Sequence, residues 1–196
     1  MSTTNRLRRI TDQLARAVCK HEGDILIDVD QDSSVTAVHL WVNQADMSAC
    51  VGTRGATVRA FQDIIKSVGL QDGIETLFLL EEPRTGREET MPPFVPITSW
   101  NAEPTRRLVE SVASEIFDAP CGVLPKVTGK ISTTFQITVP AGTDTKQAEV
   151  VAQALNILMH AAGKSKHGRL LFVGLKIGDE PPQPANANGR YAPQAG

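Results

Sequence analysis

The stretch Cys50-Val51-Gly52-Thr53-Arg54-Gly55-Ala56-Thr57-Val58-Arg59-Ala60-Phe61 constrains the fold more than any other. It sets a Gly-x-x-Gly corner between two apolar helical segments. Gly52 and Gly55 have no Cβ, so the corner can take positive φ without steric penalty and another backbone can come close. Thr53 and Arg54 sit at its tip. Gly55 opens a second helix, on which Val58, Phe61 and Ile65 recur at spacings of three and four and form one apolar face. The first amides of such a helix lack intrahelical partners and carry the positive end of its dipole. An open corner of this kind suits a phosphodiester backbone. A covered one is a tight packing turn that binds nothing.

Length and charge narrow what the corner can serve. The 196 residues suffice for one large or two small domains. Apolar residues make up 41% and charged residues 21%, so a core can form without disulfide staples. The formal net charge of −2 excludes a broadly basic polyanion binder, and any nucleic-acid site must be a local patch. Cys19, Cys50 and Cys121 are unevenly spread and form no Cys-x-x-Cys pair. They read as free thiols in a reducing compartment. No apolar run has spanning length and no secretory signal pattern opens the chain, so a cytoplasmic protein without membrane contact is expected.

Residues 5–20 carry Leu7, Ile10, Leu14, Ala17 and Val18 at the helical period, with Arg6, Arg9 and Arg16 off that stripe. Ile25, Ile27 and Val29 alternate with Leu26, Asp28 and Asp30, a strand with one mostly polar face. Residues 31–34 are turn chemistry. A second strand over 35–42 puts Val38, Leu40 and Val42 on one side and Ala37, His39 and Trp41 on the other. Asp46 offers an N-cap to a short helix, 47–51. The helix after the corner is expected to run to about Val68, broken by Gly69 and Gly73, and 74–80 is a third strand.

With its flanks, this corner resembles the KH domain, whose signature is an aliphatic pair, Gly-x-x-Gly and further aliphatics on the next helix. Cys50 stands where the family has an aliphatic residue, a tolerable exchange of one small apolar side chain for another. The order helix, strand, strand, short helix, Gly-x-x-Gly, helix, strand is similar to the type II, bacterial arrangement, over roughly residues 5–82. The stretch looks most like the small single-KH RNA-binding proteins of bacteria, and similar units occur in transcription elongation factors and a small-subunit ribosomal protein. The resemblance implies a loop that clamps the backbone of about four single-stranded nucleotides.

The second half repeats the order in weakened form. Five prolines from Pro83 to Pro104 exclude a long helix over 82–103, and Phe94, Val95, Ile97 and Trp100 predict that this connecting segment packs along a domain surface. A helix over 104–117, strands over 122–127 and 131–139 turning at Thr128-Gly129-Lys130, a long helix over 145–162 and a strand over 170–177 follow. Where the first half has Gly52-Thr53-Arg54-Gly55, the second has Gly142-Thr143-Asp144-Thr145. Asp144 would repel phosphate and makes an N-cap. The expected architecture is α+β: two tandem KH-like units, each a three-stranded mixed sheet covered on one face by helices. Residues 1–82 hold the competent corner, 83–103 connect, and 104–178 form a degenerate repeat; an unrelated α+β domain of the same element order is the competing reading. The tail, 179–196, rich in Pro, Ala, Asn, Gln and Gly, is expected to be disordered.

The expected site is a groove beside the corner. Val51 and Val58 form one wall and the third strand, from Ile74, the other. The amides of Gly52 to Gly55, with Thr53 and Arg54, hold phosphates. Arg59 flanks the path and Lys66, one heptad on, extends it. Only single strands fit, because the bases must be splayed out. Arg6, Arg9 and Arg16 either prolong the track or form a solvated face balanced by acids. Residues 163–169 are a basic loop, auxiliary to binding or simply solvated. Trp41 and His39 either stack a base, self-associate or pack under Phe94–Trp100.

No Walker-type loop, nucleophile motif or metal-spaced His/Cys cluster is present, so neither catalysis nor a metal or other cofactor is expected. Two functions compete. One is binding of single-stranded RNA, as a regulator or chaperone of bacterial or phage transcripts, with single-stranded DNA left open. The other is a non-catalytic scaffold using KH-like units for protein contacts, with a homo-oligomer or protein partner engaged through the second unit.

Overall fold

A computed structural model describes residues 2–31, 35–81, 101–127, 132–167 and 169–178. The expectations for the 128–130 turn, for the packing of Phe94–Trp100 and for the 179–196 tail lie outside the described residues. The first unit runs α1 (Thr3–Val18), β1 (Leu26–Gln31), β2 (Val35–Trp41), α2 (Met47–Val51), α3 (Ala56–Gln71) and β3 (Glu75–Leu80). The second runs α4 (Glu103–Phe117), β4 (Gly122–Val127), β5 (Ser132–Val139), α5 (Thr145–Ala162) and β6 (Leu170–Ile177).

Both sheets have one topology. Sheet order is β1-β2-β3 in the first unit and β4-β5-β6 in the second, the first pair antiparallel and the second parallel. Parallel pairing demands a crossover, and the helices between β2 and β3 and between β5 and β6 supply it. The alternation read from sequence decides the faces. Val29, Val38, Leu40 and Phe78 are buried under α1 and α3, while Leu26, Asp28, His39 and Leu77 face outward. The chain is therefore α+β, with two three-stranded mixed sheets and, among the described residues, five α-helices packed with them.

Gly69 does not end α3, as its type suggested. A Cβ there would lie 2.8 Å from the carbonyl oxygen of Ile74 and 2.5 Å from a Thr76 methyl. The glycine is needed for the close approach of β3, and the helix stops instead near Gly73, at φ 68°.

The helices of the two units meet in the middle, with the sheets outside. α3 packs on α5, α1 lies against both α4 and α5, and one cluster of buried side chains runs from Leu7 and Phe61 to Leu155 and Phe135. Polar contacts stitch the same seam. Arg9 pairs with Glu115 at 2.5 Å, Gln13 Nε2 donates to Ser111 Oγ, and Gln147 Nε2 donates to the Ser67 carbonyl at 3.1 Å.

Candidate nucleic-acid interface

The corner is strongly bent. Gly52, Arg54 and Gly55 all have positive φ, at 71°, 55° and 76°. Gly52 is required twice over, because a Cβ would lie 2.8 Å from the backbone nitrogen of Thr57. Arg54 is a non-glycine residue in the left-handed region, which costs about 1–3 kcal/mol. Its carbonyl accepts a 2.6 Å bond from Arg59 Nη2, so Arg59 braces the strained residue.

The four amides expected to hold phosphates reduce to two. Gly52 N–H donates to Ser48 O at 3.0 Å, and Gly55 N–H donates to Gly52 O at 3.2 Å. Among the described residues, the N–H groups of Thr53 and Arg54 donate to no acceptor, and both residues are exposed. The glycines set the shape of the corner, and Thr53 and Arg54 carry its unbonded N–H groups. Gly55 precedes α3 without a side-chain cap; the Ala56 N–H donates to the Thr53 carbonyl, and the Arg59 guanidinium lies beside Gly55.

The other expected site residues separate by distance. Val51 is 38% exposed and Val58 half-buried, beside the corner. Lys66 is exposed on α3, roughly 16 Å from Gly55 at 1.5 Å per residue. Ile74 lies farther still. Its N–H donates to Gly69 O at 2.9 Å, which puts it at the far end of α3, roughly 21 Å along the helix from the corner. The structure therefore places the corner and Ile74 at opposite ends of α3. β3, between them, is an edge strand among the described residues, with one side of its backbone open.

The arginines of α1 do not extend this path. Arg6 pairs with Asp72 at 3.5 Å, Arg8 with Asp28 at 3.2 Å, Arg9 with Glu115, and Arg16 with Asp12 at 2.9 Å. Asp12 raises the pKa of Arg16 through that bond. Arg54, Arg59 and Lys66, by contrast, have no acid within ion-pair distance among the described residues. Residues 163–167 continue α5 as a wide turn, and Lys166 is drawn to Glu22, at 2.6 Å, and to the Arg16 carbonyl. His39 and Trp41 stack on the outer sheet face with ring centroids 5.8 Å apart, and His39 Nδ1 lies 2.7 Å from Glu81 Oε1.

Sequence reasoning missed the cleft beside the corner. It holds about 680 Å³ and opens between Gly52, Thr53 and Ala56 on one side and Asn156, Ile157 and His160 of α5 on the other. Lys20 and Lys164 flank it. Asp46 lines it too, but not as the expected cap. Its carboxylate, 2% exposed as a residue, accepts N–H bonds from Lys20 (3.1 Å) and His21 (2.9 Å) and meets His21 Nδ1 at 3.0 Å. The neighbouring thiols are spectators: Cys19 and Cys50 lie with sulfurs 3.3 Å apart, and that contact together with burial raises the pKa of Cys19.

The second corner is built otherwise. Gly142 has φ 90°, and Asp144 caps α5, its Oδ1 accepting from Gln147 N–H at 2.8 Å. Among the described residues no group of three His, Cys, Asp or Glu side chains is gathered as a metal site, and no helix is long and apolar enough to cross a membrane. No protein-family model matches this chain, and no curated protein matches it in sequence.

Proposed function

We propose that this protein binds single-stranded RNA at the Gly52–Gly55 corner and acts without catalysis, as a regulator or chaperone of transcripts. The observation that carries the reading is the state of the corner: Thr53 and Arg54 are exposed, and among the described residues their N–H groups meet no acceptor and no acid is paired to Arg54 or Arg59. A phosphate there gains charge-assisted hydrogen bonds and the favourable end of the α3 dipole. Val51 and Val58 give bases an apolar surface, and the open edge of β3 gives them backbone donors and acceptors. Free, buried Cys19, Cys50 and Cys121 accord with a reducing, cytoplasmic setting.

An RNA shift assay tests this with Thr53→Asp combined with Arg54→Asp. The pair removes one cation and adds two anions at exposed positions, so folding is kept and affinity is expected to fall at least about tenfold. If the strand neutralises about four phosphates, log affinity against log salt has a slope of about −3 for the parent. Equal binding by the folded double variant overturns the clamp. A matched single-stranded DNA distinguishes the two nucleic acids.

A scaffold role is the second reading. Leu26 and Leu77 are 48% and 47% exposed on the outer face of the first sheet, and an apolar sheet face suits a protein partner. Sedimentation of the protein alone separates self-association through this face from the RNA reading.

A further inference from the structure

We infer that the cleft between the corner and α5 receives one unstacked nucleotide of the bound strand, so that the second unit contributes to a site its own corner cannot make. This rests on the RNA reading and adds to it the residues of a different unit.

The size fits. The volume of about 680 Å³ lies within the roughly 300–1,000 Å³ typical of small-molecule sites, enough for one base with its sugar and phosphate. The chemistry fits an anion carrying a flat apolar body. Lys20 and Lys164 flank the opening, and neither has an acid within ion-pair distance among the described residues. Asp46 is the one acid of the lining, and two N–H groups and the His21 ring already occupy its carboxylate. The oxygens of this buried carboxylate are thus engaged within the protein.

The walls are small and apolar, Ala49 and Ala56 from the first unit and Ile157 and Ala161 from the second, which leaves a slot for a planar ring. Two side chains at the rim can make polar contacts with a base. Asn156 Oδ1 accepts from Val173 N–H at 2.8 Å, which fixes the amide and leaves its NH₂ as donor. His160 is held by Phe172, ring centroids 5.9 Å apart. Thr53, one of the two residues with unused N–H groups, lines the same cleft. A strand whose phosphate sits at the corner therefore has its next nucleotide at the cleft mouth.

The test measures fluorescence anisotropy of a labelled single-stranded RNA octamer with the full chain. Lys164→Glu reverses an exposed charge at the rim, and Ile157→Trp fills the slot; circular dichroism checks that each folds. Either is expected to weaken binding roughly tenfold, with the Lys164→Glu effect shrinking as salt rises. Unlabelled adenosine and uridine 5′-monophosphates at millimolar concentration are expected to weaken octamer binding to the parent and to have lost that effect in Ile157→Trp. If both variants bind the octamer like the parent while the Thr53→Asp/Arg54→Asp protein does not, the corner holds RNA and the cleft inference is overturned. If the monophosphates bind the parent directly and the octamer does not, the slot takes free nucleotides and the RNA reading fails. If neither probe binds, both fall.

Discussion

Gly52–Gly55 and Gly142–Thr145 occupy equivalent places in two units of the same sheet topology, each leading into the long helix that crosses to a parallel edge strand. The first corner has three residues at positive φ and begins its helix with a glycine that has no side chain to offer. The second keeps one such glycine and begins its helix with a carboxylate bonded to the third amide beyond it. The helix start of α5 is thus capped by the protein's own carboxylate, while that of α3 has no side-chain cap. The same scaffold gives a self-satisfied corner or an open one, and a single side chain at the N-cap makes much of the difference.

The contrast breaks most easily at the glycines. Gly52→Ala forces a Cβ to within 2.8 Å of Thr57 N at a φ of 71°, and rotation of the Thr57 hydroxyl does not relieve a backbone clash. Left-handed strain and overpacking together are expected to cost about 2–4 kcal/mol. Gly142→Ala meets nothing within 4 Å, so only the strain of φ 90° remains, about 1–2 kcal/mol. Urea unfolding of both variants reads the difference, and equal losses would mean that the two corners are not packed differently.

Asp144→Ala sharpens the comparison at the other end. It removes the cap on α5 and is expected to lower stability by about 1 kcal/mol. RNA affinity should be unchanged, since the proposed site uses the first corner. A gain in stability would mean that the carboxylate is not acting as a cap.

The smallest effect separates the first helices of the units. α1 has no acid in its first turn, whereas α4 begins with Glu103, bonded to Arg106 and Arg107 at 2.8 Å. Those guanidiniums hold the Glu103 carboxyl down to about 2. A carboxyl depressed in the folded state contributes fully above its ordinary value, roughly 4.3, and loses that contribution as pH falls towards 2. Because the Glu103 carboxylate itself is exposed to solvent, the loss should stay below about 1 kcal/mol. Thermal unfolding of Glu103→Gln against the parent between pH 5 and pH 2 is expected to show a gap that closes with acid.

Most of the fold could be read in advance because it rests on local periodicity. The stripe Leu7, Ile10, Leu14 and the alternation Val38, His39, Leu40 each state which side is buried without reference to any distant residue. The corner could be read for the same reason, since two glycines three apart specify a backbone rather than a contact. What escaped was set by partners far along the chain. Gly69 looks like a helix breaker until β3 lies against it. Asp46 looks like a cap until the C-terminal end of α1 presents the amides of Lys20 and His21. The α1 arginines look free until Asp72 and Glu115 arrive from other elements. The cleft needs α5 laid against α3, a pairing of two apolar helix faces that neither face announces.

The central claim is that an open Gly-x-x-Gly corner, and not its filled counterpart, takes the strand. Photo-crosslinking of the full chain to a single-stranded RNA carrying 4-thiouridine, followed by mass spectrometry of the peptides, tests it most directly. The account predicts adducts on residues 51–59, with none on 140–148. Adducts concentrated on 140–148, or confined to the outer sheet face around Leu26 and Leu77, would contradict it.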